Sequence, residues 1–157
     1  MFLEKPKSRR SLLRAAPTVS AVVVSLLLAA GCSSMGGPMP MQPVGKVSLA
    51  GANEVPPAPS TATGSGTITV ASDKSVSGSV TTTGLAGTMA HIHLAAKGAN
   101  GPVIIPLTKT AEGIWSVPAG AKLTDAQYAS YVAGDLYVNV HSAAFPGGEI
   151  RSQISSN

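Results

Sequence analysis

Leu136-Tyr137-Val138-Asn139-Val140-His141 alternates its side-chain character with a period of two. In an extended chain that period sends Leu136, Val138 and Val140 to one face and Tyr137, Asn139 and His141 to the other, so the stretch reads as a strand with one core face. Met89-Ala90-His91-Ile92-His93-Leu94 repeats the arrangement, with Ala90, Ile92 and Leu94 on one face and His91 and His93 on the other. Outward from these two, β-branched runs at 46–49, 67–70, 76–83, 103–107, 114–117 and 149–154 are separated by Gly, Pro, Asn and Ser, the punctuation of short strands. The expected fold is all-β, an antiparallel Greek-key-like sandwich or barrel of about eight short strands. One short helix interrupts it. Thr124 is placed to cap that helix with Gln127 three residues on, Leu123 and Tyr128 form the flanking staple, and Gly134 supplies the left-handed stop.

A chain of 157 residues holds one domain. Only 4% of it is aromatic, so the core must come from Val, Ile, Leu and Ala, and no broad aromatic face is left for stacking sugars or bases. The excess of Lys and Arg over Asp and Glu lies ahead of residue 32, in Lys5, Lys7, Arg9, Arg10 and Arg14 against Glu4. Beyond it Lys46, Lys74, Lys97, Lys109, Lys122 and Arg151 are matched by Glu54, Asp73, Glu112, Asp125, Asp135 and Glu149. Cations scattered among as many anions do not form the clustered field that nucleic acid requires, and no nucleic-acid partner is expected.

Residues 1–31 read as a signal peptide: a basic start, an apolar run from Ala21 to Ala30, then small residues before Cys32. The run is shorter than the roughly 20 apolar residues a membrane-spanning helix needs. Leu28-Ala29-Ala30-Gly31-Cys32 resembles a bacterial lipobox, in which the cysteine is acylated and becomes the new N-terminus. The expected protein is therefore exported and anchored in the membrane by lipid at Cys32. Ser33, with no Asp after the cysteine, resembles the sorting pattern for an outer membrane. Ser8-Arg9-Arg10-Ser11-Leu12-Leu13 resembles the twin-arginine export motif, and an ordinary basic start accounts for the same residues equally well. Residues 32–43 are rich in Gly, Pro and Ser and read as a tether, in which Met35, Met39 and Met41 are tolerated rather than metal-binding. The domain is expected over 44–157.

All three histidines of the chain lie in predicted strands. A His-x-His pair on one strand face holds its Cα atoms roughly 7 Å apart, a spacing that two ligands of one metal can bridge. His141 from a neighbouring strand would complete a three-imidazole set suited to copper or zinc. Asn139 shares the face of His141, and Glu149 reads either as a surface ion pair with Arg151 or as the carboxylate that orients His141 across the hairpin. Apart from Cys32 there is no cysteine, which excludes thiolate zinc sites and cysteine nucleophiles, and there is no Gly-x-Ser-x-Gly elbow.

Several blocks taken together resemble the CHRD domain: Leu49-Ala50-Gly51-Ala52-Asn53-Glu54-Val55-Pro56-Pro57, Ala90-His91-Ile92-His93, Gly98-Ala99-Asn100-Gly101-Pro102-Val103, and Tyr137 to Ser142 with Pro146-Gly147-Gly148-Glu149-Ile150-Arg151. The resemblance covers about residues 46 to 154 and implies an all-β extracytoplasmic module. That family takes its name from chordin and is widespread in exported bacterial proteins, and its histidine motifs match His91, His93 and His141. Ser152 departs from the Gly that many members carry there. The His-x-His strand is also similar to the ligand strands of copper/zinc superoxide dismutases, but the copper of that enzyme needs a fourth histidine.

Three functions follow from these readings. The first is a lipid-anchored envelope module that coordinates copper or zinc through His91, His93 and His141. The second is an envelope protein-interaction or structural module that presents Glu54-Val55-Pro56-Pro57 as an exposed, stiffened segment to a protein partner. The third is a metal-dependent enzyme with Glu149 as its base. The absence of any complete catalytic constellation places the third behind the others.

Overall fold

The computed structural model describes residues 45–156. The expected signal peptide with Arg9 and Arg10, the expected acylation site Cys32 and the expected 32–43 tether lie outside the described residues. Nine strands follow in order: β1 Gly45–Ala50, β2 Thr63–Val70, β3 Val76–Thr83, β4 Gly87–Leu94, β5 Val103–Pro106, β6 Thr108–Ala111, β7 Ile114–Ser116, β8 Leu136–Ser142 and β9 Ile150–Ile154. Helix α1, Asp125–Val132, lies between β7 and β8. All nine strands join one sheet in the order β5-β4-β8-β9-β1-β2-β3-β7-β6, and each pairing is antiparallel. The two end strands, β5 and β6, are separated in sequence only by Leu107, whose N–H donates to the Ala90 carbonyl of β4 at 2.9 Å. The sheet thereby curls into a nearly closed, barrel-like wall rather than a two-sheet sandwich.

The expected count of eight strands rises to nine because of β6. Its residues Thr108-Lys109-Thr110-Ala111 are all exposed, so no apolar alternation marks it, and only its pairing with β7 makes it a strand. β2 also begins earlier than its β-branched run. Gly64-Ser65-Gly66 reads as turn chemistry, yet a Cβ on Gly66 would lie 2.1 Å from the Ser79 carbonyl oxygen. Here glycine marks a close approach of two strands and not a break.

The inner face is apolar. Leu49, Ile68, Val80, Ile92, Val138 and Ile154 are each at most 1% exposed, and the single Trp115 is buried among them. Helix α1 carries the expected capping box: Thr124 Oγ1 accepts from the Gln127 N–H at 3.2 Å, and Gln127 Oε1 accepts from the Thr124 N–H at 2.8 Å. Gly134 ends it with φ +82°, and Tyr131 anchors it in the core.

Strand β8, between β4 and β9, is buried on both faces along its whole length. Its inner residues Leu136, Val138 and Val140 face the core as expected. Its outer residues Tyr137, Asn139 and His141 are covered by the 51–60, 95–102 and 143–149 loops. Asn53 Nδ2 donates to the Arg151 carbonyl at 3.0 Å, Asn100 Nδ2 to the Val55 carbonyl at 2.6 Å, and Gln153 Nε2 to the Ala95 carbonyl at 3.0 Å. The wall thus has an apolar core inside and, over this sector, a buried polar layer outside.

Ile68→Ala, far along the wall from that layer, is expected to cost about 2–5 kcal/mol in urea denaturation. Thr124→Ala, which removes the cap, is expected to cost about 0.5–2 kcal/mol by the same measurement.

Candidate metal centre

Register places the site. His91 is paired with Asn139 and His93 with Tyr137 between β4 and β8, and Met89 with His141. Asn139 is in turn paired with Arg151, and Tyr137 with Gln153, on β9. Residues directly opposite in an antiparallel pair project to the same side. His91, His93, His141, Tyr137, Asn139 and Arg151 therefore share the covered outer face.

The three imidazoles converge there. One ligand nitrogen from each of His91, His93 and His141 lies within 4.8 Å of the other two. Around a metal with bonds of about 2.0–2.1 Å, nitrogens sit roughly 3.4–3.6 Å apart, so small ring rotations close the triangle. His93 and His141 are 8% and 6% exposed, whereas His91 is half-buried at the open side.

Hydrogen bonding sets the tautomers. His93 Nδ1 lies 2.9 Å from the Gly101 carbonyl oxygen, and His141 Nδ1 lies 3.0 Å from the Pro146 carbonyl oxygen. A carbonyl only accepts, so both Nδ1 atoms carry the proton and both Nε2 atoms present lone pairs. His91 Nδ1 then donates to His141 Nε2 across 3.1 Å. His93 Nε2 is buried without a partner. Burial, followed by the charges of His141 and His93, holds His91 below the ordinary imidazole pKa. Burial lowers His141 likewise, against the raising effect of its bond to Pro146. Both effects favour the neutral, metal-ready form.

The support differs from the expected one. The Glu149 carboxylate does not orient His141: its Oε1 accepts from Ser60 Oγ at 2.7 Å, and the carbonyl of Pro146 holds His141 instead. Nor do Glu149 and Arg151 form a surface pair, since both are buried, at 6% and 2% exposure. Asn139 backs the histidine row from β8, with its amide against the Glu54 carboxylate. Glu54, expected on an exposed segment, is turned inward at 5% exposure. Burial raises its pKa above the ordinary carboxylate value, and the nearby Arg151 charge and the Asn139 amide oppose that rise.

Four further contributors escaped the sequence reading. The Arg151 guanidinium sits 3.3 Å over the Tyr137 ring. The Tyr137 ring stacks on His93, with centroids 4.7 Å apart and planes within 4°. Because β8 lies between β4 and β9, the cation and the imidazole flank Tyr137 from opposite sides. Arg151 Nη1 also donates to Asn100 Oδ1 at 3.2 Å, tying the stack to the 95–102 loop. Gly101 completes that loop: a Cβ there would lie 1.8 Å from the Leu94 carbonyl oxygen, so only glycine lets its own carbonyl reach His93. Alternation along β8 was the available signal for Tyr137, but no periodicity shows that a polar outer face is roofed.

Arg151→Leu is expected to destabilise the chain by about 3–5 kcal/mol, because the buried Glu54 carboxylate loses its neighbouring cation. The Arg151→Leu/Glu54→Gln double variant is expected to recover roughly 0.5–3 kcal/mol of that in denaturant titrations, the coupling of residues in one network.

No curated protein and no solved structure matches the chain. A family model described as the CHRD domain matches residues 46–154, from β1 through β9 and across every residue of the histidine cluster. The chain belongs to the CHRD domain family.

Proposed function

We propose that this protein is a lipid-anchored, extracytoplasmic CHRD module that binds a transition-metal ion, copper or zinc, through His91, His93 and His141. One observation carries the reading: three imidazole nitrogens converge while His93 Nε2 is buried without a hydrogen-bond partner. Leaving a buried polar atom unpaired costs about 1–3 kcal/mol, and a metal ion in the triangle removes that cost. The carbonyls of Gly101 and Pro146 fix the rings in the way bound imidazoles require. Such a module stores, carries or senses its ion. Catalysis would need a base at the open side, and Glu149, bonded to Ser60, is turned away from that role.

The leader and Cys32 support export and anchoring at the cell envelope, in an outer membrane where the organism has one. The apolar cavity of about 500 Å³ between Pro56, Pro57, Phe145 and Pro146 favours a second reading, contact with an envelope protein partner beside the histidines.

Full-length chain, purified in detergent without a polyhistidine tag, is expected to bind one copper or zinc ion. At free metal 100-fold above Kd the gain in stability is about 2.7 kcal/mol, read as a rise in Tm. His93→Ala and His141→Ala are expected to abolish both the binding and the rise; an unchanged stoichiometry in them would refute the site. Metabolic labelling with palmitate is expected to mark the chain, and Cys32→Ser to lose the label and leave the membrane fraction.

A further inference from the structure

Met89 is an anomaly on the histidine face. It precedes His91 by two residues on β4 and stands directly opposite His141 on β8, so its side chain projects to the same side as both. It is 47% exposed, one of three large apolar side chains left so among the described residues. An exposed methionine gains little from burial at this position. Its thioether, on three rotatable bonds, starts from a strand position next to both His91 and His141.

A second observation concerns charge. The triangle contains three neutral imidazoles and no carboxylate. Arg151, a permanent cation, is stacked behind His93 through Tyr137. Glu54, whose carboxylate feels the Arg151 charge, lies against Gly148 and Asn139 and is not among the groups that converge on the metal position. Three neutral imidazoles bring no negative charge to the ion, and a monovalent ion asks for about half the compensation of a divalent one. Thioether sulfur is soft and selects copper(I), whereas zinc takes imidazole, thiolate and carboxylate.

We propose that the centre is a copper(I) site in which the Met89 thioether is the fourth donor to the His91, His93 and His141 triangle. This rests on the metal-binding reading above and adds to it the identity and oxidation state of the ion.

The test uses the full-length chain in detergent. Copper(I) affinity is measured by competition with bathocuproine disulfonate, zinc affinity by competition with a chromophoric chelator, and the copper K-edge spectrum records whether sulfur is bound. The variant is Met89→Leu, a volume-conserving exchange at an exposed position. The expected result is a sulfur neighbour in the wild-type spectrum that is missing in the variant, with copper(I) affinity lowered on the order of tenfold or more and zinc affinity unchanged. No sulfur neighbour in the wild type, or an equal loss for both ions, overturns the assignment of Met89 while metal binding stands. Failure of the wild type to hold either ion overturns both. A second variant with Met35, Met39 and Met41 changed to Leu and Cys32 to Ser keeps the sulfur neighbour if Met89 supplies it, and its loss there overturns the assignment even if Met89→Leu does not fold.

Discussion

The register of β4, β8 and β9 is the constraint on which the rest depends. A slip of one residue in any of the three would exchange the two faces of a strand and put Val138 or Ile92 under the loops. In the register observed, the inner side of the wall collects aliphatic residues and its outer side collects imidazole, phenol, amide and guanidinium in adjacent rows. The apolar core drives this arrangement, because burying Leu136, Val138 and Val140 fixes where Tyr137, Asn139 and His141 must point. The chemistry of the outer face is thus positioned by packing on the inner one.

A buried polar layer is stable only when its groups are partnered. The loops supply most partners with backbone carbonyls: Gly101 for His93, Pro146 for His141, and Val55 for Asn100. The groups left over are informative. Glu54 Oε1, Arg151 Nη2, Asn139 Oδ1 and His93 Nε2 are all buried there without a bond. The first three belong to one charged cluster in which carboxylate, guanidinium and amide neighbour one another. His93 Nε2 stands apart, facing the other two histidines, and a metal ion is the partner that fits it.

Strand directions were legible because alternation is local. Met89 to Leu94 and Leu136 to His141 each declare two faces, and the structure keeps those faces. The helix was legible for the same reason, since Thr124, Gln127 and Gly134 act within one or two turns. The burial of the outer face was not, because Tyr137, Asn139 and His141 look the same to periodicity whether water or a loop covers them. Glu149 shows a related limit. Its place on the hairpin beside His141 was readable, but the competing hydroxyl of Ser60 comes from a loop 89 residues away. β6 was invisible because an exposed edge strand carries no apolar signal.

The central claim is that His93 and His141 hold their Nδ1 protons on backbone carbonyls and aim Nε2 at one metal. The ¹⁵N resonances of the imidazoles, recorded on the full chain before and after addition of zinc, test it directly. The account predicts Nδ1–H tautomers for both rings without metal, and a selective displacement of both Nε2 resonances with it. An Nε2–H tautomer on either ring, or Nε2 resonances that zinc leaves unmoved, would contradict it.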